Sequence, residues 1–173
     1  MDKKLLSRSV LVIAAPALLA GCLCGPCEVA TANKEIVVAA FEVVRSGEFD
    51  QLDDLIAADY VRHCEATPDV EVTSLEAFKK YLAREAQTFP NPEITVNHLI
   101  AEDNLVAFWA TYAADQEGPM GPFPATGKHM VIAIAGVHRI EDGKIAETWV
   151  TWDNVAGLTQ LGLFPPQPPE VLE

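Results

Sequence analysis

The sequence predicts an α+β domain with helices on one face of an antiparallel sheet. Three observations predict it. Helical periodicity comes first, between residues 34 and 86, and β-rich runs fill the chain from 94 to 153. The dipeptide Asp142-Gly143 separates two of those runs and suits a tight hairpin, because glycine accepts φ > 0. The length of 173 residues, half of them hydrophobic, suits one domain with a real core plus a leader.

Residues 1–21 read as that leader. Lys3, Lys4 and Arg8 form a basic start, and Val10 to Ala20 an apolar run too short to span a bilayer. Leu19-Ala20-Gly21-Cys22 resembles the bacterial lipobox. That resemblance implies cleavage before Cys22 and lipid on its thiol and amine, where several acyl chains anchor stably. Leu23 after the cysteine resembles a signal for the outer membrane, on its periplasmic face, in a bacterium with two membranes. An ordinary secretory signal is the competing reading. Residues 22–32 are then a lipidated tether. Within it, Cys24-Gly25-Pro26-Cys27 matches the thioredoxin redox tetrapeptide, but no strand precedes it to place the thiols at a helix start. A tether disulfide or two exposed thiols fits better. Cys64 is left over and reads as a small buried hydrophobe.

The domain spans 33–164. Lys34 to Arg45 is a helix with Ile36, Val37, Ala40, Phe41 and Val44 on one stripe, stopped by Gly47. Phe49 to Ala57 reads as a second helix, and Asp59 to His63 as extended chain. Thr73 to Glu76 fits a capping box for a helix through Phe78, Leu82 and Ala86, ended by Pro90 and Pro92. Strands follow at Ile94–Ile100, Leu105–Ala113, Lys128–Ile140 and Ile145–Asp153. Residues 115–124 hold two glycines and three prolines and form a loop that could rim a pocket. The proline-rich tail, 165–173, has no period.

With Asp142 and Gly143 as the loop, regular pairing sets Ile140 against Ile145, His138 against Glu147 and Gly136 against Trp149. Strand alternation then puts Glu147, Trp149, Thr151 and Asp153 on the face of His138, as a pocket wall. A one-residue bulge at the turn would change that pairing.

These residues also resemble a family. The run from Gly136 to Asp153, followed by Gly157-Leu158-Thr159-Gln160-Leu161-Gly162, is similar to the C-terminal signature of the SnoaL-like polyketide cyclases, or ester cyclases. Pro124 to Lys128, Phe89 to Pro92, Leu99 to Ala107 and Asp59 to His63 extend the similarity over most of the mature chain. The resemblance implies the cone-shaped nuclear transport factor 2-like fold, a curved sheet wrapping helices around a deep pocket. Members often dimerise through the sheet, so a homodimer is an expectation too.

The activity it implies is ring closure by intramolecular aldol condensation, using a carboxylate and a histidine with no metal or cofactor. The carboxylate carries over to Asp153; its competing role is to cap a helix at 154–161. His138 is its catalytic partner by the pairing above, against a core histidine satisfied by Glu147. His63, Trp109, Tyr112, Glu147 and Trp149 are candidate substrate-binding residues. Tyr112 stands where many members have a histidine; it can donate a hydrogen bond but is a poor base. The four histidines lack the spacing of a helical metal site. A net charge of −13 excludes a nucleic-acid-binding face. Two readings therefore stand: a cofactor-free acid/base enzyme acting on a small apolar carbonyl compound, and a non-catalytic small-molecule-binding module on the same pocket.

Overall fold

A computed structural model describes residues 26–165. The leader, the lipidation residue Cys22, Cys24 and residues 166–173 of the tail lie outside them. In order come α1 (Pro26–Ser46), a 3-10 helix (Phe49–Asp54), β1 (Ile56–Cys64), α2 (Leu75–Thr88), β2 (Glu93–Glu102), β3 (Leu105–Asp115), β4 (His129–Glu141), β5 (Lys144–Trp152) and α3 (Asn154–Leu161). The strands form one curved five-stranded sheet, ordered β1-β5-β4-β3-β2, with the helices packed on it. The sheet is mixed: β2 through β5 pair antiparallel, and β1 runs parallel to β5 at the edge.

α1 starts at Pro26 rather than Lys34, so part of the expected tether is helical. The buried Asn33 explains the gain, since its amide donates to the Asp103 carbonyl (3.1 Å) and docks this end on the β2–β3 turn. The helix expected over Phe49–Ala57 shortens to a single 3-10 segment. The sheet takes its end: the Ile145 amide donates to the Leu55 carbonyl at 2.9 Å, and Ile56 pairs with Ile145. The cap of α2 is Ser74, not Thr73; its hydroxyl accepts from the Ala77 amide at 3.1 Å.

The principal core lies between α1, α2 and the sheet's inner face, built on Val37, Leu52, Tyr60, Val72, Val106 and Ile145. A second cluster, on Phe89, Met130, Ile132 and Leu161, packs α3 against β4.

The hairpin turn is as read. Asp142 (φ 50°) and Gly143 (φ 75°) both take left-handed backbone, and Ile140 pairs with Ile145. Beyond that pair the expected register fails. Arg139 faces Glu147 and His138 faces Thr148, so Ala146 is an extra residue bulged from β5. Ile145 and Ala146 are both buried, and past them every β5 side chain sits on the face opposite to the one predicted.

Candidate functional site

The inner face of the sheet, α1, α2 and α3 line a half-open cavity of about 500 Å³, a volume that suits a small organic ligand. Its wall is mostly apolar, including Phe41, Phe89, Phe108, Ile132, Ile134 and Val150. The polar groups on it come from strand alternation: Tyr60 and Arg62 on β1, Thr148 on β5, His138 on β4 and Tyr112 on β3. α2 adds Tyr81 and Glu85.

His138 is stacked on Phe108 (centroids 4.8 Å, planes 19° apart), with Phe41 against its edge. Its Nδ1 lies 2.8 Å from the Thr148 hydroxyl. Burial lowers its pKa from 6.5 to about 4, so the ring is neutral at pH 7. It nonetheless keeps some accessible surface, as a side chain on a cavity wall does. Burial raises Tyr60 to about 12, partly offset by a hydrogen bond from Thr148. Burial likewise raises Tyr81 to about 12, and it raises Tyr112 as well. Glu85 is pushed up, first by burial and against the pull of Arg84 and Arg62, which favours its neutral acid.

Arg62 is 8% exposed. Its guanidinium lies over the Tyr81 ring, 4.7 Å from the centroid, and 5.7 Å from that of Trp152. Arg62, Thr148 and His138 occupy one rung across three adjacent strands, since Arg62 pairs with Thr148 and Thr148 with His138.

The bulge at Ala146 separates the predicted site residues. His138 and Tyr112 line the cavity. Glu147 does not reach His138. It lies on the outer face, where one oxygen meets His63 Nε2 at 2.8 Å and the other accepts from Arg139 Nε at 3.0 Å; those partners lower its pKa. His63 stacks on Trp149 (centroids 5.4 Å) on that same outer face. Trp149 is 41% exposed, and Trp109 is 51% exposed on the outer face of β3. Neither tryptophan lines the cavity, because both fall out of phase with its wall. Asp153 borders the cavity but is exposed, and its Oδ1 accepts from the Ala156 amide at 2.9 Å as the N-cap of α3. Pairing with His138 is therefore corrected for both carboxylates: one is turned outward by the bulge, the other is spent on a helix end. His98 and His129 are exposed, and His129 Nδ1 meets Asp115 at 2.7 Å.

The residues that sequence reasoning passed over are Tyr60, Arg62, Tyr81, Glu85 and Thr148. Two signals were available. Arg62 is in phase with the apolar-bodied Tyr60 on an extended run. Glu85 falls on the helical stripe of Phe78 and Leu82, where a carboxylate is out of place. Among the described residues no group of three His, Cys, Asp or Glu could hold a metal ion.

The model of the SnoaL-like polyketide cyclase family matches residues 34–161. Among solved structures, IdmH of Streptomyces antibioticus, a candidate polyketide cyclase, superposes with a TM-score of 0.68 at 25% identity, over 76% of this chain and 99% of its own. A candidate SnoaL-like polyketide cyclase from Jannaschia sp. CCS1 gives a TM-score of 0.70 at 20% identity, over 78% and 94%. An LEH-like epoxide hydrolase from M. tuberculosis gives 0.61 at 18%, over 76% and 90%. No curated protein matches the chain by sequence.

Proposed function

The chain belongs to the SnoaL-like polyketide cyclase family, and on that premise we propose that it is a cofactor-free enzyme that moves a proton on a small, mostly apolar carbonyl compound. The observation that carries this reading is the neutral His138, held by Thr148 on the wall of a half-open, mostly apolar cavity. If Nδ1–H donates to the Thr148 oxygen, Thr148 can donate onward to Tyr60, and Nε2 keeps its lone pair. His138 Nε2 then takes the proton next to the carbonyl, and a cavity tyrosine donates a hydrogen bond to the oxygen as charge develops there. Asp153 has no part in the step.

The test is deuterium exchange beside the carbonyl of two probes in D₂O, followed by NMR: the ketone phenylacetone and the keto acid 4-oxo-4-phenylbutanoate. Wild type should exchange at least one of them above the buffer rate. His138→Gln should lower the rate by about 10²–10⁴ while the probe still binds. With a base of pKa about 4, the wild-type rate should stay flat from pH 8 to 5 and fall only near pH 4. Exchange that survives His138→Gln, or is lost in Asp153→Asn, sinks the assignment.

The second reading, a binding module without chemistry, is favoured by Tyr112 in place of a histidine and by the lack, among the described residues, of a carboxylate ion-paired with His138. Probe binding without exchange is its signature. The sequence also supports a lipid anchor at Cys22, on the membrane's periplasmic face. Cys22→Ser should leave the domain folded but released from membranes on fractionation; a variant that still pellets through a salt wash counts against the anchor.

A further inference from the structure

We infer that the cavity binds a monoanionic carboxylate, held at its head by Arg62. This names the substrate class for the site just proposed and rests on that site being the functional one. Two residues that line the cavity each carry a buried side-chain atom with no hydrogen-bond partner, Arg62 Nη1 and Thr67 Oγ1. Both can donate. A guanidinium keeps its charge at any ordinary pH, so burial cannot relieve Arg62 by deprotonation. No carboxylate lies within ion-pair distance of it among the described residues; Glu85 is an electrostatic neighbour beyond that distance. A buried guanidinium with no carboxylate in contact is unfavourable, and a ligand carboxylate would supply the contact that Nη1 lacks.

The surroundings narrow the ligand. The guanidinium carbon lies over the Tyr81 and Trp152 rings, and the planar partner a guanidinium fork matches best is a carboxylate. The other arginines at the cavity, Arg45 and Arg84, are exposed at its margin. One buried charge matches a single negative charge, and the chain's net −13 disfavours multiply charged anions. The rest of the wall is apolar, so the body of the ligand is apolar too.

The rung sets where the chemistry falls. Arg62 and His138 stand two strands apart with Thr148 between them. At ~4.8 Å per strand their backbones are roughly 10 Å apart. A carboxylate gripped at Arg62 therefore sets carbons a few bonds along the chain beneath the imidazole. The substrate is a keto acid whose exchangeable C–H lies a few atoms from its carboxylate.

Binding is measured calorimetrically at pH 7 with 4-oxo-4-phenylbutanoate and its methyl ester, which shares the apolar body but not the charge. Wild type should prefer the acid by about tenfold or more. Arg62→Met should erase the preference while still binding the ester. Arg62→Lys keeps the charge without the fork and should retain a reduced preference, which covers the case in which Arg62→Met does not fold. Arg84→Met, at the margin, should leave the preference intact. Equal binding of acid and ester by wild type overturns the inference. So does a preference that survives Arg62→Met, or one that Arg84→Met abolishes. His138→Gln separates this inference from the catalytic reading: it should keep the preference for the acid whether or not wild type exchanges a proton.

Discussion

The two faces of β5 meet unlike surroundings. Inward, Thr148, Val150 and Trp152 meet His138, Arg62 and an apolar cavity. Outward, Glu147 and Trp149 meet His63 and Arg139 in the open. The outward residues are the ones that stand out in the sequence as a family pattern. The inward ones carry the buried, electrostatically displaced groups. A family signature can therefore report an outer, structural cluster while the pocket is written in the less conspicuous residues between.

The sharpest way to break this contrast is to crowd the inner face. A Cβ on Gly136 would lie 2.5 Å from the Trp149 carbonyl oxygen and 2.7 Å from the Phe108 ring. Backbone oxygen cannot retreat as a flexible side chain would. Gly136→Ala should cost roughly 3 kcal/mol, the upper end of ordinary overpacking, read as a shift in the urea midpoint. A loss under about 1 kcal/mol would mean that the inner face has room for an added methyl group.

The next effect concerns His138 and acid. Its folded pKa of about 4 lies below the 6.5 of an ordinary histidine, so between those values the unfolded chain binds more protons. Stability is present in full above pH 6.5 and is lost as pH falls toward 4. The loss should be roughly 2 kcal/mol once water entering the cavity is allowed for. His138→Gln should flatten that part of the stability curve. Glu85 has the opposite sign: its raised pKa contributes stability that fades as pH rises through its folded value. The comparison is therefore cleanest in a Glu85→Gln background. Identical curves for the His138 pair would remove the burial argument.

The smallest effects belong to the signature carboxylates. Asp153→Ala removes a helix cap and should cost about 1 kcal/mol. Glu147→Gln weakens exposed pairs with His63 and Arg139 and should cost under about 1 kcal/mol. Neither should change deuterium exchange tenfold. A large catalytic loss from Glu147→Gln would erase the distinction between the faces.

Much of the fold was legible in the sequence. The stripe from Ile36 to Val44, the β-rich runs and the Asp142-Gly143 turn are short-range patterns, and short-range physics made them. The site was less legible, for one reason above all. Ala146 is small enough to sit paired or bulged, so its sequence carries no mark of which, yet the choice decides the face of every residue after it. Asp153 was ambiguous for a related reason: capping and proton transfer both call for a carboxylate at a strand end. The parallel pairing of β1 with β5, which brings Arg62 beside Thr148, links segments far apart in the chain and left no local trace.

That pairing has a consequence for the order of folding. Strands β2 to β5 follow one another as neighbours, joined by tight turns at 103–104 and 142–143 and by one longer loop at 116–128. β1 precedes them all yet pairs with the last, and the His63–Glu147 contact spans 84 residues. Closing a loop of that length costs roughly 4 kcal/mol of chain entropy before any contact offsets it. The edge bearing Arg62 should therefore dock late, onto a meander that is already formed. A chain cut short before β5 would lack the strand on which β1 docks. The anion site would then be the last part of the protein to come into being.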